Sequence, residues 1–200
     1  GTTMHAVNLL NAEDGGHRRC IMVTNNEVSD AEAKEMSKRG LKPGDEEWEK
    51  LGIARYVTWP RTVCSIEGHD VNGNPLKGNY IGSDIPMADG FKANAAFFKL
   101  GFLDKNAVAL GRQFKEMLPV LWMKAGAHGA CPSIGEVVPD MLILPENRFA
   151  VLGDEKLYME FAEKLSEHPE IETVFIVTDS DSGYRDMIAG LNVKESYQLY

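Results

Sequence analysis

Apolar positions recur with a helical period over the first fourteen residues, where Ala6, Val7, Leu9 and Leu10 share a face. Thr2 and Thr3 stand where hydroxyls can cap the first amides, and Gly15-Gly16 offers the left-handed stop that helices need. Arg18-Arg19 then leads into Cys20-Ile21-Met22-Val23-Thr24, a continuous apolar run of the kind that fills a parallel sheet covered on both faces. A helix followed so closely by such a strand implies a βαβ crossover whose first strand would lie ahead of Gly1. The chain therefore reads as part of a longer protein.

Further along, Ser29 and Glu32 have the spacing of a capping box, predicting a helix to about Arg39 with Gly40 as its stop. Asp45 is placed to cap a second helix carrying Trp48, Leu51 and Ile53, with Tyr56 and Val57 beyond. Residues 62–82 alternate around Asn72-Gly73, which predicts a hairpin between Val63–Ile66 and Tyr80-Ile81. A hairpin inserted between helices projects from its scaffold, and Lys77 and Tyr80 would be its contact residues. Phe97–Phe102 reads as a strand. Asp104 then caps the longest helix, about 105–125, with Leu110, Phe114, Met117, Leu118, Leu121, Trp122 and Ala125 on one face and a kink or break near Lys115 caused by Pro119. After a loop at 126–132 the pattern restarts: strands at 141–144 and 149–152, a helix with Leu157, Phe161 and Leu165, a buried strand at 173–178, and a helix from about Ser182.

Composition narrows the picture. Of the 200 residues, 44% are hydrophobic, enough for a real core. No run of about eighteen apolar residues, signal-peptide pattern or lipidation motif occurs, so the expectation is no membrane segment and a cytoplasmic location. Cys20, Cys64 and Cys131 are too scattered for a disulfide framework or a zinc site, and the five histidines show no ligand spacing. The net charge of −9 argues against a strong duplex binder. It is uneven, however: −3 over residues 1–52, +3 over 53–131 and −9 over 132–200. Any contact with DNA belongs to the middle.

The order Gly1-Thr2-Thr3, helix, Asn11-Ala12-Glu13-Asp14-Gly15-Gly16, paired arginines and apolar strand resembles the S-adenosylmethionine-binding motif of adenine-specific DNA methyltransferases, in particular the modification subunits of type III restriction systems. In that family the turn reads as an aromatic followed by Gly-Ser-Gly-Thr-Thr, of which only the last three residues stand here. The resemblance implies that Gly1, Thr2 and Thr3 meet the methionine end of the cofactor, where helix amides and partial positive charge suit a carboxylate. It also implies an acid after the second strand to hold the ribose hydroxyls. Glu27 is that candidate, two residues late, and a solvated loop acid is the equal alternative. The segment Gly52–Thr62 resembles the family's helix that returns the chain toward the sheet, so Arg55 and Arg61 become phosphate contacts or, alternatively, surface partners of the acidic helix before them. Asp84-Ile85-Pro86 does not match the family's catalytic Asp/Asn-Pro-Pro-Tyr/Phe, and no catalytic residue is identified.

The fold class expected is α/β: an incomplete Rossmann-like methyltransferase portion with an inserted β-hairpin over residues 1–131, plus a small carboxyl-terminal βαβ lobe over 132–200. The function implied is transfer of a methyl group from S-adenosylmethionine to the exocyclic amine of adenine in DNA, by an intact protein of which these residues alone are inactive. DNA is the expected partner, with a restriction subunit and self-association as further candidates. Asp179 and Asp181, at the end of a parallel strand, admit Mg²⁺ or a helix cap, and no metal ligand is assigned. A reading from another class is a non-catalytic α/β accessory or assembly module.

Overall fold

A computed structural model describes residues 1–104, 106, 114–135 and 137–199. The chain divides into two compact units, Gly1–Phe97 and Phe98–Tyr200, so the boundary expected at 131/132 falls inside the second. Among the described residues the protein is mixed α/β, with seven α-helices and a four-stranded mixed sheet. No described helix is long and apolar enough to cross a membrane.

The first unit holds helices α1 (Thr2–Asp14), α2 (Asp30–Lys38), α3 (Glu46–Glu49) and α4 (Trp59–Glu67), and none of the described strands. The exit from α1 is closed by its own sequence. Gly15 takes a left-handed φ of 69°, Asp14 accepts from the Gly16 amide, and Asn11 bonds the Arg18 main chain in both directions, at 2.9 and 3.0 Å. Arg18 in turn forks onto Asp14 at 2.8 and 2.6 Å, which holds that carboxyl down at about 2. Helix α2 opens with the expected Ser29–Glu32 pair: the Glu32 amide donates to the Ser29 hydroxyl, which donates to the Glu32 carboxylate. Asp45 precedes α3 but accepts from the Lys42 amide, tightening the turn before the helix instead of capping it.

Three strand expectations fail here. Cys20–Thr24 forms no strand, with Ile21 and Val23 86% and 87% exposed, because no described neighbouring strand offers it hydrogen bonds. Val63–Ile66 lies inside α4, where Thr62 and Ser65 are the buried positions, three apart. The turn signalled by Asn72-Gly73 does form. Asp70 accepts from the Asn72 and Asn74 amides, and single bridges join His69 to Pro75 and Asn79 to Pro86, yet no β-hairpin of paired strands is inserted. Phe97–Phe102 also forms no strand.

The second unit is built on one sheet of order β1-β2-β3-β4: Met141–Leu144, Phe149–Leu152, Thr173–Val177 and Glu195–Leu199. β1 and β2 are antiparallel across the tight turn at Pro145–Asn147; β2, β3 and β4 run parallel, with α6 (Tyr158–Ser166) and α7 (Asp181–Ala189) as crossovers. Alternation divides the strands cleanly. Ala150, Leu152, Val174 and Ile176 pack with Phe161, Leu165 and Met187 of α6 and α7. Phe149, Val151 and Phe175 pack with Leu118, Leu121 and Trp122 of α5 (Phe114–Lys124). The strands expected at 141–144, 149–152 and 173–178 form one mixed sheet, joined by β4, which the sequence reading missed. Pro119 sits inside α5; residues 105 and 107–113, Leu110 among them, on which the start of the expected long helix falls, lie outside the described residues.

The β1–β2 turn anchors the loop that follows α5. Buried Asn147 donates to the carbonyls of His128 and Ala130, both at 2.7 Å, while the Trp122 indole donates to the same His128 carbonyl at 2.8 Å. Asn147→Ala should lower the stability of the second unit by about 1–3 kcal/mol, read as a fall in urea midpoint with unchanged slope.

Candidate functional site

Helix α4 is preceded without interruption by a wide π-helical turn, Ala54–Thr58. Pro60 explains it. A proline one turn into a helix lacks the N–H that would bond the carbonyl four residues back and presses its ring on that carbonyl, and a wider turn relieves both. This turn presents Arg55, Tyr56 and Val57 to solvent.

The turn is held by one side chain that no pattern in the sequence singles out. The Asn26 carboxamide oxygen accepts from the Ala54 and Arg55 amides at 3.1 and 3.2 Å. Its nitrogen donates to the Glu49 carbonyl at 2.6 Å and to the Glu49 carboxylate at 2.8 Å. Gly52 is what lets Asn26 approach, since a Cβ there would overlap its carboxamide.

Around this turn the first unit forms a cleft of about 930 Å³. Gly1 and Thr2 from the start of α1 line it, as do Arg55 and Arg61, and Tyr80 from the loop after α4. Of the eight residues singled out from the sequence, these five come together. Thr3, Glu27 and Lys77 do not line the cleft. Glu27 is an exposed residue whose main-chain carbonyl accepts from Ile53. Thr2 and Thr3 are the first helical residues, not caps; Gly1 occupies the cap position, so no side chain satisfies the first amides of α1. Tyr80 corrects a further expectation. It is 5% exposed, stacked on Phe91 at 4.7 Å with the His5 ring edge-on at 4.9 Å, which makes it a core aromatic and not the tip of a projecting hairpin.

Electrostatics in the cleft are lopsided. Lys50, Arg55 and Arg61 line it against one carboxylate, Asp70, whose oxygens already accept from Asn72 and Asn74. The Arg55 guanidinium also stands 5.9 Å from the centre of the Phe97 ring. Burial, and then the Arg61 charge, holds the His5 imidazole below its ordinary range, and burial pushes the Tyr80 hydroxyl up. That hydroxyl is buried without a hydrogen-bond partner.

No known protein family, curated protein or solved structure matches this chain. The site's chemistry rests on its own residues.

In the second unit, the acids considered for Mg²⁺ stand apart from any ligand set. Ser180 caps α7 by accepting from Gly183 at 3.0 Å; Asp181 is in the first turn, where negative charge suits the helix dipole, and Asp179 is exposed. Among the described residues no group of three or more His, Cys, Asp or Glu is disposed to hold a metal ion.

Two outcomes are expected. Asn26→Ala and Gly52→Ala remove the same hydrogen bonds, so each should destabilise the first unit by about 1–3 kcal/mol and the double variant by little more than the larger single effect; additive losses would refute the shared mechanism. For His5 the folded state disfavours the proton that the unfolded chain accepts at an ordinary pKa. Stability is therefore unaffected above neutrality and falls as pH drops through about 6.5 and below. Thermal unfolding of His5→Gln against the parent between about pH 8 and 5.5 should show a difference that shifts in favour of the variant as pH falls.

Proposed function

We propose that this chain is a carboxyl-terminal part of an adenine-specific DNA methyltransferase, with residues of the first unit contributing the S-adenosylmethionine end of an incomplete Rossmann-like portion. The supporting observation is the uncovered apolar segment after α1. α1, with Val7 and Leu9 half-buried, runs through Gly15-Gly16 into exposed Ile21, Met22 and Val23. Apolar residues on successive positions suit a strand buried on both faces of a parallel sheet. On this reading a neighbouring strand of the intact protein pairs with Cys20–Thr24.

The cofactor carboxylate then lies at the start of α1, where amides without a side-chain cap and the Thr2 hydroxyl donate to it. Arg55 and Arg61 take the DNA phosphates of the bound substrate. Chemistry in such enzymes needs a flipped adenine, an acceptor for its amine and an aromatic stacked on the base, and those groups would come from elsewhere in the protein. A restriction subunit, self-association and a cytoplasmic location belong to the same reading.

The isolated chain should transfer no labelled methyl group to DNA. In the intact methyltransferase, Thr2→Ala should weaken S-adenosylmethionine about tenfold or more, the loss of a hydrogen bond to a charged group being worth about 1.5–3 kcal/mol. Thr3→Ala and Glu27→Gln should cost less, and Asp179→Asn and Asp181→Asn nothing. Calorimetric titration reads each; an unchanged affinity for Thr2→Ala would remove the cofactor assignment.

A further inference from the structure

The Asn72-Gly73 turn has no part in the proposed cofactor or DNA contacts, and its chemistry is of another kind. It is the one Asn-Gly step in the sequence. Val71, Asn72, Gly73 and Asn74 are all exposed, and Gly73 takes a left-handed φ of 81° with no atom within 4 Å of where a Cβ would stand. A glycine nitrogen, with no side chain beside it, is open to the carboxamide carbon of the asparagine before it. One restraint opposes that approach: the Gly73 amide donates to the Asp70 carbonyl at 3.0 Å. The bond lies at the surface, where water takes its place when it opens. Other asparagines lack one or another of these conditions. Asn74 precedes Pro75, whose nitrogen has no hydrogen to give up. Buried Asn147 is fastened to two carbonyls and precedes Arg148; Asn26 is clasped through both its oxygen and its nitrogen and precedes Glu27.

We propose that Asn72 is a site of spontaneous deamidation in the folded protein. The Gly73 nitrogen gives its proton to hydroxide and forms a bond to Cγ of Asn72. The bond from Cγ to the side-chain nitrogen breaks, and ammonia leaves with a proton taken from water. The cyclic imide then takes up one water at either of its carbonyls, which opens it to aspartate or to isoaspartate. Water is the only co-reactant, and nothing is oxidised or reduced. A neutral amide thereby becomes a carboxylate in the loop that brings Asp70 to the cleft. The isoaspartate form also adds one carbon to the main chain between Asp70 and Asn74, whose amide and carbonyl now meet at 2.8 Å.

Prolonged incubation of the 200-residue chain at mildly alkaline pH, in native buffer and in urea, followed by proteolysis and mass spectrometry, tests it. The peptide that spans the turn should gain the mass of an amide-to-acid exchange and separate into aspartyl and isoaspartyl forms. Fragmentation should place the change at Asn72, with Asn26, Asn74 and Asn147 unaltered over the same interval in native buffer. The native chain should convert at a rate within about tenfold of the urea-unfolded chain, since a single surface hydrogen bond has to open first. The rate should rise with pH, because the attacking nitrogen must lose its proton. Asn72→Gln, which would have to close a larger ring, should show no change over that interval. Conversion of the native chain more than about tenfold slower than in urea, or conversion of another asparagine ahead of Asn72, overturns the proposal. Neither DNA nor cofactor enters the measurement, so its outcome is independent of the methyltransferase reading.

Discussion

Four hydrogen bonds meet on the carboxamide of Asn26, two given and two received, and the functional half of the first unit hangs from them. They tie the segment between α1 and α2 to the end of α3 and to the opening amides of the π-helical turn. A half-buried amide that satisfies its donors and acceptor in one place fixes both partners at once, and leaving any of them unmet is costly in a partly dry setting. The position of Arg55 at the cleft follows from this clasp, since its own amide is one of the bonded groups. Gly52 belongs to the same device through the side chain it lacks.

A second constraint shapes the turn itself. Pro60 cannot continue a regular ladder, and the chain answers with five residues of wider winding before it. The consequence is registration: widening one turn rotates what lies ahead of it, so that Arg55, Tyr56 and Val57 join Arg61 around one concavity. π-turns often sit at functional sites because they move side chains off the positions a regular helix would give them.

How much of this was legible depended on how local the physics was. The Ser29–Glu32 pair and the Gly40 stop were readable because they involve neighbours in sequence. So were three strands and both crossovers of the second unit, whose short apolar runs are separated by unambiguous turns. β4, with Glu195, Ser196 and Gln198 among its five residues, has no such contrast and was invisible. Val63–Ile66 was misread because four residues cannot separate a period of two from one of 3.6, and the left-handed Gly68 after them was the better guide. Cys20–Thr24 has strand composition but no described strand beside it, and pairing belongs to two segments, not one. Tyr80 was expected at a tip because the hairpin was expected. The cleft could not be read at all, since residues 1–2, 55–61 and 80 meet only after folding.

The exposed run Ile21-Met22-Val23 has a further consequence for how the chain behaves in concentrated solution. A short β-prone stretch without charge, open along its backbone, is a template on which other copies can stack into fibrils. Natural sequences guard such stretches with charged sentinels at their borders. Here Arg18 and Arg19 stand on one side, but Arg18 is neutralised by its fork onto Asp14, so Arg19 is left as the guard on that flank. Colloidal stability should accordingly hinge on that one cation and on the ionic strength around it.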